Sequence, residues 1–486
     1  MRWLIAVAIM PGVVIAWSTD GVAQSLREAL RQAYRTNPVF LAQQRTVPAA
    51  AASVDRARAG YFPRVSANSY YGISETSDAS LLSPGAVKTR TRPRGVGLDI
   101  SQTLFDGART YNAVGGANQQ LTAAQETLRD TEQTLLLDAV TAYVDVLRDR
   151  TILTLERQNH ASLSEQFRLI RELFSFGDVT TTDVVQVQAR VADSRARVSG
   201  AEAALKGSEA IYQQIMGSRP VNLSMPQPAD RLVPSNLDAA LHQAVLAHPA
   251  VLAALATADA AGSQVNVALG EHLPTVTVTG SLTQQMNAEA IGDRRLNGSV
   301  FGRVSVPIFS GGETTARVRE AKEVSARRRI EIDAVRAQVQ ANAIRAWSQH
   351  QSAKIRLSAA QEQVRAASTA LRGVREEFGL GQRTATNVLD AVQDLLSASI
   401  NLATAQRERI LSTYAVSRAL GKLSLVNIET GSQPALGFVD AFAQLSAPVK
   451  RLSEQTRWEL RSARLGDGAI GSAASPGLVL RPTVQN

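Results

Sequence analysis

Hydrophobic and polar positions alternate with period two in four short stretches of this chain. Between them run patterns of helical spacing that last for dozens of residues. Thr275, Thr277 and Thr279 oppose Val276 and Val278, and Leu282 continues the apolar face. Val65, Ala67, Tyr71 and Ile73 form a looser version. Val96, Leu98 and Ile100 oppose Gly97, Asp99 and Ser101, while Val300, Gly302, Val304 and Val306 oppose Phe301, Arg303 and Ser305. One apolar and one polar face fit two settings: a soluble hairpin half-buried on a helix, or a barrel wall with lipid outside and water inside. Loops containing Ser and Gly, roughly 75–92 and 287–297, are predicted within each strand pair.

A helix is predicted before each strand pair, broken at an X-Pro step where the preceding residue disfavours α geometry. These helices run over 26–34 and 42–59, and again over 237–247 and 251–269. After each pair a Gly turn opens a long helical pattern, about 109–174 and 314–378. Some 65 residues at 1.5 Å each give roughly 100 Å, which suits a coiled coil or a tall helical barrel. Gly177 and the Gly379–Gly381 stretch then reverse the chain into return helices over 181–215 and 384–420. Gly217 and Gly421 stand where C-terminal glycine caps belong.

The same unit is therefore written twice. Asn37-Pro38 and Tyr61-Phe62-Pro63 recur 211 residues on as His248-Pro249 and His272-Leu273-Pro274. An offset of 204 carries Leu104-Phe105-Asp106-Gly107 onto Ile308-Phe309-Ser310-Gly311, Phe176-Gly177 onto Leu380-Gly381, and Ile215-Met216-Gly217 onto Ala419-Leu420-Gly421. The predicted organisation is a segment 1–23, a first repeat 24–236, a second repeat 237–425, and a C-terminal segment 426–486. Within the last, 438–461 holds amphipathic helical spacing, and 466–486 has the Gly, Ser, Ala and Pro content of a disordered tail.

Met1-Arg2, the apolar run from Leu4 to Trp17 and the small residues Gly21-Val22-Ala23 read as a signal peptide cleaved near Ala23. No later stretch is expected to form a transmembrane helix, so membrane entry would require a β-barrel. Four strands cannot close one, and open edges in hydrocarbon leave backbone groups unpaired, so such strands demand several chains. The net charge of +9 raises nucleic acid as a partner. Arginines alternating with acids along helices, without an aromatic platform, favour a solvated face instead. With no cysteine there is no disulfide or thiolate site. His160, His242, His248, His272 and His350 show no metal-ligand spacing. Gly115-Gly116 and Gly311-Gly312 are read as strand-to-helix turns and Trp347 as a packing residue. No cofactor and no catalytic constellation is predicted.

The stretch Phe378-Gly379-Leu380-Gly381-Gln382-Arg383-Thr384-Ala385-Thr386-Asn387-Val388-Leu389-Asp390 resembles the second helical hairpin tip of the TolC-like family of outer membrane efflux proteins. Phe176-Gly177 through Thr182-Asp183-Val184 resembles the first tip, and the Asn-Pro and Phe-Pro landmarks also match. The resemblance covers roughly 26–425. It implies an α+β membrane protein in which two repeats build a homotrimer. Each copy gives four strands to one twelve-stranded β-barrel in the outer membrane, and the helices form a periplasmic α-barrel with coiled-coil tips. The function implied is an exit duct for proteins or small toxic compounds. It serves an inner membrane transporter and a periplasmic adaptor (membrane fusion) protein, opens by an iris, and performs no chemistry.

The resemblance also points to site residues. The 204 offset pairs Asp178 with Gln382, Val179 with Arg383, Asp183 with Asn387, and Gln186 with Asp390. Asp183 and Arg383, with Phe378 lacking the hydroxyl of the tyrosine common at that place, match the family's closing network. Arg383 is expected to pair with Asp183 of a neighbouring hairpin. Asp390 would form a cation-favouring ring under threefold symmetry, and Asn387 stands where a second acidic ring is often found, predicting weaker cation selectivity. Gly177, Asp178, Val179, Gly381 and Gln382 are the expected adaptor contacts. The competing reading is a soluble periplasmic coiled-coil or adaptor-like protein, in which the tip charges are ordinary exposed helix charges.

Overall fold

The computed structural model describes residues 24–80, 83–176, 179–289, 291–380 and 382–430. The signal-peptide reading of 1–23 and the readings of 438–461 and 466–486 lie outside these residues.

The first repeat opens with α1 (Leu26–Thr36) and α2 (Pro38–Arg58). Ser25 and Glu28 make a reciprocal capping box at the start of α1. One residue serves both helices at the break. The Asn37 Oδ1 accepts the N–H groups of Val39 and Phe40 at 3.0 and 3.1 Å, and Pro38 occupies the first helical position, where no N–H is needed. In the second repeat α5 (Leu237–Ala247) and α6 (Pro249–Gly270) are divided in the same way. There the His248 Nδ1 accepts the Ala250 N–H at 3.1 Å. The X-Pro landmarks are double caps.

The sheet holds β1 (Arg64–Tyr71), β4 (Arg94–Phe105), β5 (Thr275–Met286) and β6 (Arg294–Ser305) in the order β1-β4-β5-β6, all antiparallel. The stretch read as a loop over 75–92 is instead an extended ribbon, β2 (Ser74–Ser80) with β3 (Ser83–Thr91). Its Ser and Thr residues pair across a ladder, as in Thr76 with Thr89, which the turn-like composition concealed. The second turn is shorter than expected, and β6 begins at Arg294. The register puts Val96 and Leu98 beside Gln284 and Leu282 on one face, and Asp99 and Ser101 beside Ser281 and Thr279 on the other. On the polar face the Asn68 amide donates to Asp99 at 3.0 Å. Gly97 permits this, since a Cβ there would stand 2.2 Å from the Asn68 Oδ1. No residue of these four strands is buried.

The helices α3 (Arg109–Phe176) and α7 (Glu313–Gly379) run 68 and 67 residues, and α4 (Thr181–Met216) and α8 (Ala385–Ala419) return along them. Gly217 and Gly421 end the return helices at φ +76° and +72°, left-handed values that glycine adopts without strain. The Gly115-Gly116 pair is not a junction turn. It lies inside α3, where a Cβ on Gly116 would meet the Ser263 Cβ of α6 at 3.2 Å, so these glycines admit close helix approach. The turns are made at Gly107, and at Gly311 and Gly312, all with positive φ. The run Leu237–Gly270 is long and apolar enough to cross a membrane, against expectation. Here it is broken at His248 and packs through alanines between α3 and α7.

Two cores hold the helices. Tyr143, Tyr212, Leu30 and Met216 are fully buried where α1, α3 and α4 meet. The Tyr143 hydroxyl lies 2.7 Å from the carbonyl oxygens of Gln24 and Ser224. A second cluster joins Ala240, Ala244, Val251, Val339, Ala343, Ala346, Val416 and Leu420, with Trp347 packed against it as expected. Burial is unequal between the two long helices. On α7 the buried residues recur at coiled-coil spacing in one stripe: Ser325, Ile332, Val339, Ala343, Ala346, His350, Ala353 and Ala360. The opposite stripe carries Ile330, Ile344 and Ile355, which are 70%, 43% and 72% exposed. The positions of α3 that correspond to Ile344 and Ser348 are Val140 and Val144, and both are buried.

At the start of α9 (Leu425–Thr430), Glu132 of α3 is 5% exposed and its carboxylate accepts the Leu425 N–H. Burial pushes its pKa up to about 7, against smaller opposing effects of that amide and of Arg129. The folded value lies above that of an unfolded glutamate, so the fold favours the protonated form. The stabilisation is complete below about pH 4.3 and is lost as pH rises through about 7. Glu132→Gln is expected to flatten that part of the fall in melting temperature between about pH 5 and about pH 8, measured by thermal melts in detergent.

Candidate gate at the hairpin tips

Each hairpin tip is a reversal followed by a capped helix start. At the first, the Asp183 carboxylate accepts the Thr180 N–H at 3.0 Å and its hydroxyl at 2.7 Å, while the Asp183 N–H donates to the Thr180 Oγ. Those two bonds from Thr180 hold the Asp183 carboxyl below its usual pKa. At the second tip, the Asn387 Oδ1 accepts the Thr384 N–H at 3.2 Å and its hydroxyl at 2.8 Å. Asp183 and Asn387, matched by the repeat, thus do the same local work with and without charge.

An apolar cluster joins the hairpins. Leu163 and Ile170 of α3 and Val187 of α4 enclose Leu389 of α8, with Phe167, Val179, Val184 and Val191 packed around them. Val179, an expected adaptor contact, is half-buried on this cluster. Above it α4 and α8 are tied by two polar contacts one helical turn apart. The Thr386 hydroxyl lies 3.3 Å from the Gln186 Oε1, and the Arg190 Nη2 lies 2.8 Å from the Asp390 Oδ1.

The expected residues are therefore distributed as follows within one chain. Arg383 reaches Glu377 on its own hairpin at 2.7 Å, and Asp183 is engaged by Thr180. Asp390 faces Arg190. Phe378 is 43% exposed, and the backbone N–H of Gln382 donates to the Glu377 carbonyl. Gly177, Asp178 and Gly381 lie outside the described residues. Sequence reasoning missed Glu377, Arg190 and Leu389. The repeat held a signal for Arg190, since it stands one turn beyond Gln186, the counterpart of Asp390. Leu389 stood within the recognised tip and Glu377 one residue before it, but nothing in the spacing distinguished them from ordinary core and surface positions.

The strands are open on both faces, and the two hairpins run roughly 100 Å to polar reversals. The model of the family described as outer membrane efflux protein matches residues 29–218 and 240–422. The chain belongs to the outer membrane efflux protein family. It is similar to the outer membrane efflux protein BepC of Brucella suis, with 33% identity over 424 residues, 87% of this chain and 90% of that one. Outer membrane protein TolC of Vibrio cholerae shares 27% over 416 residues, 83% and 92% of the two chains. In fold, the crystal structure of the Campylobacter jejuni CmeC outer membrane channel superposes with a TM-score of 0.71 at 14% identity, covering 89% of this chain and 97% of that one. This efflux family member is accordingly an outer membrane exit duct.

The tip cluster makes a local prediction. Leu389 is 5% exposed, and Leu389→Ala leaves a cavity between hairpins at a cost of about 2–5 kcal/mol. Hydrogen exchange is expected to accelerate in the first two turns of α4 and α8 and to stay unchanged in β4 and β5.

Proposed function

We propose that three copies of this chain close into one duct that carries efflux or secretion cargo across the outer membrane from a transporter and adaptor docked at the hairpin tips. The observation that carries this reading is the mismatch between repeats. The β4–β5 seam and the covered side of α3 are junctions between repeats inside the chain, while β6, β1 and the apolar stripe of α7 are the same surfaces left without a partner. Another copy supplies that partner by the same geometry. Two copies would give eight strands, an interior just filled by side chains, whereas three give twelve and leave a lumen. Apolar strand residues such as Val96, Val300 and Val304, each more than half exposed, then face lipid, and the Asp, Ser and Thr face lines water. A soluble coiled-coil or adaptor-like protein would leave that apolar face and both sheet edges uncovered in water.

The seam fixes a register. Ser101 pairs with Thr279 inside the chain, and the repeat offsets convert this to Ser305 of one copy beside Asn68 of the next. The chain has no cysteine, so paired replacements are free of background. Oxidation of the Ser305→Cys/Asn68→Cys variant is expected to yield covalent trimers on denaturing gels. The Val304→Cys/Asn68→Cys variant should not, because a one-residue slip points the side chains to opposite faces. Cross-linking of neither, in protein shown to be oligomeric, would sink the register.

In the closed duct, Arg383 exchanges its own Glu377 for Asp183 of the adjacent hairpin, and the adaptor docks on Val179, Gln382 and the reversals that hold Gly177, Asp178 and Gly381. The support is the exposure of Gln382 and Arg383 beside the second reversal, with Val179 half-buried and Phe378 contributing only its ring. Single-channel recordings in a planar bilayer test the gate. Conductance is expected to rise in Asp183→Ala and in Arg383→Ser. An equal conductance in all three proteins would keep the duct and reject the pair as its lock.

A further inference from the structure

We infer that Arg190 is a selectivity-determining residue of the duct: it is the built-in counter-charge of Asp390, so the tip constriction closes on three ion pairs rather than on a bare acidic ring. The inference rests on the proposed assembly and deepens it. Gln186 and Arg190 lie four apart on α4, and Thr386 and Asp390 lie four apart on α8, so each pair occupies one helix face. The two faces meet as a ladder, with Thr386 on Gln186 at 3.3 Å and Asp390 on Arg190 at 2.8 Å. Leu389, immediately before Asp390, is seated in the cluster of the first hairpin and presents the acid to α4.

The cation belongs to one repeat only. The position on α8 that corresponds to Arg190 is Asp394, and the position on α4 that corresponds to Asp390 is the neutral Gln186. Three other arginines near the tip have their own partners: Arg168 with Glu165 and Glu172, Arg197 with Asp193, and Arg383 with Glu377. Arg190 is therefore the cation placed to cancel Asp390. A guanidinium within hydrogen-bond distance of a carboxylate removes most of its field at a permeating ion, whereas an unpaired ring of acids concentrates cations. Asp394, one turn farther from the tip and exposed, supplies a residual negative charge.

The experiment measures reversal potential in a salt gradient across a planar bilayer, together with block by a divalent cation added on the helical side. The proteins are the full-length chain, Arg190→Gln, Asp390→Asn and the double variant. Arg190→Gln is expected to shift the reversal potential toward the cation equilibrium potential and to tighten divalent block, and Asp390→Asn in the same protein to abolish both changes. Arg190→Lys should stay near the parent, because charge rather than shape is at work. A shift in Asp390→Asn with none in Arg190→Gln would overturn the role of Arg190 and leave the duct intact. Pores in which no variant moves either quantity would overturn both this inference and the placing of the constriction at the tips. Failure of the Ser305–Asn68 cross-link would instead count against the proposed assembly.

Discussion

An antiparallel strand exposes a backbone N–H and C=O at alternate residues, and in hydrocarbon each unpaired group costs several kcal/mol. That constraint governs this molecule. The four strands of its larger sheet bury nothing on either face and end in two open edges, so that sheet has no folded core of its own. Pairing along β4 and β5 shows how a neighbouring repeat satisfies one edge. In the proposed duct further copies close the remaining edges by the same hydrogen bonds, and the apolar stripe on α7 extends the contact along the helices.

The helices are held together differently. The long helices carry few aromatics and pack through leucine, valine and alanine, as in Leu135, Leu136, Ala139 and Val140 of α3 and Val339, Ala343 and Ala346 of α7, and alanine brings backbones close with no side-chain entropy to lose. Cross-helix arginine pairs such as Arg407 with Asp145 at 2.8 Å decorate the packed faces. Local caps set the element boundaries, and the repeat reuses them with altered chemistry: Asn37 becomes His248, and Asp183 becomes Asn387. Charge changes where geometry is kept. The tips can therefore diverge electrostatically while the hairpins reverse in the same way.

Much of the architecture was legible in the chain. Period-two alternation located all four sheet strands, helical spacing located both hairpins to within a few residues, and Gly217 and Gly421 were read correctly as caps. The ribbon β2–β3 was not legible, because Ser, Thr and Gly occupy turns and exposed ladders alike, and only pairing distinguishes them. Gly115-Gly116 misled for a related reason, since a glycine that admits a neighbouring helix looks the same as one that turns the chain. Of the tip residues named from the repeat and the family resemblance, Val179, Asp183, Phe378, Gln382, Arg383, Asn387 and Asp390 stand at or beside the helix ends that make the reversals. Their partners Glu377 and Arg190 were not foreseen.

The sequence by itself determined the elements, their doubling and the caps that bound them, because propensity, periodicity and capping act over one or two helical turns. It also determined which strand face is apolar. Only the tertiary structure decided which surfaces remain open, that Leu389 of one hairpin is seated in the core of the other, and that Asp390 meets Arg190. Those contacts join residues about 200 positions apart, and their existence depends on how the two repeats lie against each other rather than on any local preference.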